Sequence, residues 1–598
     1  MVALPPDVGR GISEPQHTRG AHRTHPRPRL PALDTFFVPR RPHPAARGRP
    51  FRHGGSTVSD LNPVAARRSF LKYTGALGAA ATVTTTLSAC SGGPKSTTDT
   101  DGGGKGGSET LTAVIGYGND GSWDPTQTAS AFCMAANHHI YEGLLDTDPI
   151  DRKPYAALAT EVPADLGATT WRFTLREGAS WHDGKPVTAD DVVFTFDRIL
   201  DTGTTTLAQG FFAAWLKEVR KVDAQTVELV LKFPFPDGAP RLTLAKIMPK
   251  HVFGKPGGWD KATTGTAVGS GPYRMTAHNP KSNTTFAAYE KYNGPRKAAF
   301  KKMNWLTIVD AAPRVAKISG GSADAQIADN IPYANIAQLK KDGLKVEGGA
   351  GMNHMFLLFN TAHKPFDDVR VRQALHYAID TEKMIEVALK GRGRAASSFL
   401  NVDNPTYRKA KTVYGHDPEK AKKLLEEAGV SGLTIDLMAV NVSWIVDCLP
   451  TIKASWDAIG VKTDLDPQET TAVFTKLDQK KDFQVVAAAS NPNQFGLDAD
   501  LIMRYNYGPE NLWMGYARWA GNSAAKKLFK LMDQATREPD AAKKKAMTQE
   551  YIDLVAEQAV IYPVVHNELV TAWNPEQLTG VRPQAYPGIN VLQSKPAG

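Results

Sequence analysis

The stretch from Ala66 to Cys90 decides which residues of the chain are available to fold at all. It reads Arg67-Arg68-Ser69-Phe70-Leu71-Lys72, then a weakly apolar run of Ala, Gly, Thr and Leu, then Leu87-Ser88-Ala89-Cys90. Paired arginines before a short apolar segment that ends in small residues have the form of an export signal, and the arginine pair points to the twin-arginine route. The competing reading is a membrane-spanning helix. Composition argues against it, because Tyr73 to Ala89 holds five threonines and only two leucines, whereas a span needs roughly 20 predominantly apolar residues.

Leu-Ser-Ala-Cys resembles the bacterial lipobox, and that resemblance implies that Cys90 is lipidated on sulfur and becomes the first mature residue. The whole chain carries +10, which taken alone would invite a polyanionic partner. Residues 1–89 hold 13 Lys and Arg against 4 Asp and Glu, so +9 lies before Cys90 and +1 after it. A mature part so close to neutral has no electrostatic footprint for nucleic acid. Residues 1–57 are rich in Pro, Arg and His without apolar periodicity; they are expected to be disordered, or to lie upstream of a true translation start near Val58. Residues 58–89 are the signal peptide, and 90–108, largely Gly, Ser, Thr, Asp and Lys, a flexible tether. Cys133 and Cys448 are expected as separate buried thiols, since about 490 residues bury a core without stapling.

Past the tether, Thr110 to Ile115 alternates with β-branched residues and reads as a strand. A helix is expected to run through His138-His139 as far as Leu145. Trp171 to Leu175 has its bulky residues on one face, as in a half-buried strand, and Asp183-Gly184 marks a turn. Thr188 with Asp191 three residues on reads as a capping box for a helix that buries Val193, Phe196 and Leu200. Val227, Leu229 and Leu231 form a strand stopped by Phe233-Pro234-Phe235-Pro236. Met355 to Phe359 is continuously apolar, as in a sheet covered on both faces. Beyond it, helices capped by Asp368 and Asp417, a helix over 449–459, and strands over 433–442, 461–465 and 483–488 alternate in the manner of an α/β lobe.

Catalytic and metal-binding patterns are missing. Gly269-Ser270-Gly271 lacks the spacing of a hydrolase nucleophile elbow, and there is no His-Glu-x-x-His or paired-cysteine spacing. His138 and His139 are adjacent, so on a helix their rings diverge by about 100 degrees and cannot grip one ion. Trp181-His182-Asp183-Gly184 reads as turn scaffold in preference to an acid–base group, and Arg370 and Arg372 as a solvated helix face or an ion pair. No catalytic residue, metal or cofactor is expected.

The order of motifs resembles the extracellular solute-binding proteins of peptide and nickel ABC importers, family 5, over about residues 111–592. The residues that carry it are Tyr141-Glu142-Gly143-Leu144, Phe173 to Gly178, Trp181 to Gly184, Thr188 to Val192, Gly269 to Tyr273, Asn360-Thr361 with Pro365 to Ala374, and Asp417 to Ala421. Short chance matches do not keep such an order. The resemblance implies an α/β, two-lobed periplasmic-binding-protein-like fold (type II, cluster C) with a ligand cleft between lobes joined by hinge crossings near Asn353 and Ile561. Lobe I would span 109–353, with an inserted subdomain at about 150–270, lobe II 354–560, and 561–598 would return to lobe I. It further implies a monomeric, non-enzymatic lipoprotein that hands a small solute to a permease and ATPase complex at the outer face of the cytoplasmic membrane. Ligand contacts would come from Trp123, His138, Asn441, Ser443, Trp444, Asn491, Asn493, Gln494, Phe495 and Trp513.

One departure bears on the ligand. Peptide binders of this family carry a Trp followed by an Asp, the partner of the peptide amino group, where this chain has Ser490-Asn491-Pro492-Asn493-Gln494-Phe495. Unless Asp498 or Asp500 substitutes, the resemblance then implies a sugar-like molecule, a modified peptide or a metal chelate. An exported hydrolase, or a sensor on the same scaffold, is the competing function.

Overall fold

The computed structural model describes residues 109–597 apart from 119–121, 129, 149–151, 202–205, 207, 256–264, 321–324, 350, 352, 480–482, 492–495, 510 and 585–586. The signal, Cys90 and the tether therefore lie outside the described residues. Two mixed sheets organise the chain. The first runs, edge to edge, Lys345–Gly348, Val570–Trp573, Ile327–Ala328, Thr110–Ile115, Lys302–Thr307, Asn283–Ala288 and Tyr273–Asn279. The second runs Gly393–Ala395, Ile561–Asn567, Asn353–Phe359, Val485–Ser490, Thr434–Val440 and Lys462–Gln468. Both have a parallel centre. Thr110–Ile115 pairs in parallel with Lys302–Thr307 and Ile327–Ala328, as Thr434–Val440 does with Lys462–Gln468 and Val485–Ser490. Asn353–Phe359 is buried at every position, as its unbroken apolar run requires.

The chain passes from the first sheet to the second between Gly348 and Asn353. It returns between Asn567 and Val570. The return thus falls later than the expected crossing near Ile561, because Ile561–Asn567 stays in lobe II and pairs with Asn353–Phe359. A separate antiparallel sheet, Thr170–Thr174, Thr226–Leu231 and Leu216–Lys221, lies within the segment expected as an inserted subdomain.

Local rules explain most of the rest. Thr188 and Asp191 form the capping box of Ala189–Leu200, but the buried face is Val192, Phe196 and Ile199. Val193 and Leu200 are only half-buried, so the stripe sits one residue from the expected one. The helix Ala131–Ile140 stops five residues short of the expected Leu145. Its last carbonyl, of Ile140, accepts from Gly271 N at 2.8 Å, and the following residues peel off into the strand Leu145–Thr147. The helix expected over 449–459 begins earlier, as Ser443–Asp457, and carries Pro450 inside it. Arg372 is neither solvated nor ion-paired: it is 1% exposed, and donates to Phe366 O at 2.7 Å and Gln558 O at 2.9 Å. Cys133 and Cys448 are buried in separate apolar clusters, so no bridge joins them.

Candidate functional site: the crevice between the lobes

In α/β sheets the loops that leave the carboxyl ends of parallel strands make the natural binding crevice. Here both sheets present those ends near the crossings. From lobe I come Gly116, Ile308 and Asp329 to Tyr333; from lobe II come Asn441 to Trp444, the residues after Gln468, and Ser490-Asn491. A small hollow lies between Asn330 to Tyr333 of lobe I, Ser443, Trp444 and Asp447 of lobe II, and Glu568 to Val570 at the return crossing. The crossings are bonded to each other and to this hollow. Asn353 Nδ2 donates to Asn567 Oδ1 at 2.7 Å, Asn567 Nδ2 to the Tyr333 hydroxyl at 2.8 Å, and Tyr333 in turn to Glu568 O at 2.7 Å.

Buried charge fixes the lobe I edge. Arg314, fully buried, donates to Ile308 O, Val309 O and Asn330 O, which gathers the loops after two strands. Asp329 accepts from Gly116 N at 2.7 Å, and burial pushes its carboxyl up to about 6 against that bond and the Arg314 charge.

A second, larger hollow, open to solvent, lies wholly against lobe I. Thr126 and Thr128 from the loop after the first strand, Asn137 and His138 from the helix Ala131–Ile140, and Phe211 and Lys246 from the insertion line it. Asn137 is 4% exposed and its Oδ1 has no partner, an acceptor left for an occupant to satisfy. Burial, then the Lys246 charge, holds His138 well below the usual imidazole range, and Lys246 is itself paired with Asp146.

The expected contact residues are dispersed. Trp444, 6% exposed, and His138 each line a hollow. Asn441 is exposed at the lobe II edge and donates to Glu469 at 3.3 Å. Asn491 follows the strand Val485–Ser490, its Oδ1 buried and without a partner among the described residues. Asn493, Gln494 and Phe495 lie outside the described residues. Trp123 is fully buried in the lobe I core, edge-on to His278 and Phe132, and Trp513 in the lobe II core against Phe356 and Phe474. Large indoles in apolar clusters are core first, and neither lines either of the two hollows. Asp498 and Asp500 do not offer a vacant carboxylate either, since Arg241 binds both, at 2.7 and 2.6 Å. Tyr333, Asn567 and Asn137 were not singled out as contacts from sequence, where each is a lone polar residue without a local pattern.

Two lobes built on mixed sheets, joined by two crossings and open at the carboxyl ends of their parallel strands, define a periplasmic binding protein. The chain belongs to the bacterial extracellular solute-binding proteins, family 5, whose middle region matches residues 153–511. It is 29% identical over 362 residues to the dipeptide-binding protein of Escherichia coli (strain K12), a match covering 55% of this chain and 66% of that protein. It is 32% identical over 326 residues to Protein XP55 of Streptomyces lividans, covering 54% and 55%. The chain thus spans less than two thirds of the length of these relatives. Its fold is similar to that of the dipeptide binding protein from Pseudoalteromonas sp. SM9913 in complex with Met-Leu, with a TM-score of 0.72 at 20% identity over 81% of this chain and 100% of that one.

Proposed function

We propose that this chain is the solute receptor of an ABC importer: exported, held at the outer face of the cytoplasmic membrane through lipid on Cys90, and monomeric. It captures a small organic solute between its lobes, delivers it to a permease and ATPase complex, and changes no bond in it. The observation that carries the reading is the convergence of both sets of parallel strand ends on one crevice beside two crossings. A solute touching both lobes binds the closed form better than the open one and so shifts the population toward closure. Relatives named for dipeptides support a peptide-like solute. The engagement of Asp498 and Asp500 by Arg241 supports one that does not depend on a free ammonium group, such as a modified peptide, an oligosaccharide or a metal chelate.

The test is a thermal-shift screen of the purified chain against dipeptides, oligosaccharides and metal chelates. A true solute at about 100 times its Kd adds roughly 2.7 kcal/mol. Trp444→Ala is expected to weaken that shift while the unliganded protein stays folded. If no compound of any of the three classes raises the Tm, the capture reading is wrong. Cys90→Ser should release the protein from the membrane fraction.

A further inference from the structure

The inserted subdomain touches lobe II at a place that shares no residue with the crossings. Arg241, on the short helix Gly238–Leu242 of the insertion, is 1% exposed. Its Nη2 donates to Asp498 at 2.7 Å and to Asp500 at 2.6 Å, both at the start of the lobe II helix Ala499–Tyr507. Asp500 is held a second time by Arg504 Nε at 2.8 Å, and Arg504 donates onward to Thr536 at 2.8 Å. Burial would raise the Asp500 carboxyl, yet Arg504 and Arg241 together hold it below the usual range. Beside this network a tongue of the insertion, Phe233 to Asp237, lies on two lobe II helices. Arg537 stands 5.0 Å over the Phe233 ring, Lys544 5.7 Å over Phe235, and Lys544 also pairs with Asp237. One continuous apolar cluster runs from Trp171, Trp215 and Phe235 of the insertion into lobe II, whereas Trp123 and Trp305 of the lobe I body belong to another.

We propose that the insertion is a clasp: Arg241 and the Phe233–Asp237 tongue hold lobe II against lobe I before any solute arrives, and the clasp has to release for the crevice to open. Its chemistry suits repeated opening. When Arg241 withdraws, Asp500 keeps Arg504, and Asp498, whose side chain is already 26% exposed, takes up water. No buried acid is orphaned in lobe II. The Coulomb attraction gained on closure is offset by removing the guanidinium from water, so the pair fixes where the lobes meet while leaving open and closed forms near balance. Two nitrogens of Arg241, Nε and Nη1, have no hydrogen-bond partner among the described residues, which lightens the hold further. Weakening the clasp then lowers the fraction of competent closed receptor and raises the apparent Kd in proportion.

The proposal rests on two-lobed capture, and electron–electron resonance separates the two. Spin labels at Lys217→Cys in the insertion and Lys526→Cys in lobe II, both exposed positions, report the gap in the full chain without added solute. The expected result is a short and a longer distance in the otherwise native protein, with Arg241→Met adding to the longer population. Asp498→Asn, which leaves the buried Asp500–Arg504 pair intact, guards against misfolding of Arg241→Met and should add less to it. Asp237→Asn should mimic the part of the hold that 1 M salt removes, because that pair is the more exposed. An unchanged distance in folded Arg241→Met and Asp498→Asn overturns the clasp and leaves capture standing. Absence of any solute-dependent thermal shift overturns capture instead.

Discussion

At the scale of single residues, the family motifs do a different task from the one their chemistry first brings to mind. His182, in Trp181 to Gly184, donates from Nε2 to Gly271 O at 3.0 Å and accepts from Gly269 N on Nδ1 at 3.2 Å, so it needs one proton and both ring nitrogens are spoken for. It is a brace between insertion and lobe I body, not an acid or base. Trp123→Ala should cost roughly 3–5 kcal/mol in chemical denaturation, as truncation of a buried aromatic does, with the solute affinity of the folded protein unchanged. Asp329 behaves oppositely to an ion-paired acid. Its folded pKa of about 6 lies above the unfolded value, so the charged form costs stability above pH 6 and nothing below the unfolded pKa near 4. Asp329→Asn keeps an acceptor for Gly116 N and is expected to raise the Tm at pH 8, with no gain at pH 3.5; urea midpoints at the two pH values decide it.

At the scale of elements, what could be read from the sequence was largely what touches itself. Glu142 of the first motif pairs with Arg176 of the second at 3.2 Å, His182 of the third braces Gly269 to Gly271 of the fifth, and Thr188 with Asp191 closes the capping box of the fourth. These contacts need fixed residue types at fixed spacings, which is why strands, caps and motif order were legible. The crevice is different. Tyr333 and Asn567 bond across 234 positions of sequence with no local pattern to link them, and only the folded topology brings them together. The helix end at Ile140 was misplaced for a related reason, since a distant glycine pair stops it. A Cβ on Gly269 would stand 2.0 Å from Ile140 O. Gly269→Ala should therefore destabilise by more than roughly 4 kcal/mol or prevent folding, read by circular dichroism melts.

At the scale of the whole molecule, buried imidazoles set the acid limit. Burial pushes His139, His182 and His566 down to about 4, below the unfolded value near 6.5. Their contribution is fully present above pH 6.5 and is lost as the pH falls through 4, each on the order of 3 kcal/mol. Against a domain stability of about 5–15 kcal/mol, the urea midpoint at pH 4.5 should lie far below that at pH 7. His139→Gln with His182→Gln should flatten the dependence. A flat profile in the native protein would show that these rings are charged when folded.

The lobe I sheet also fixes an order of events during synthesis. Val570–Trp573 is wedged between Lys345–Gly348 and Ile327–Ala328 and pairs with both. A ribosome that has made 560 residues has released every strand of that sheet except the one that joins its two parts. The amino-terminal half must wait, with an unfilled slot one strand wide between Lys345–Gly348 and Ile327–Ala328, until nearly the last of the described chain emerges.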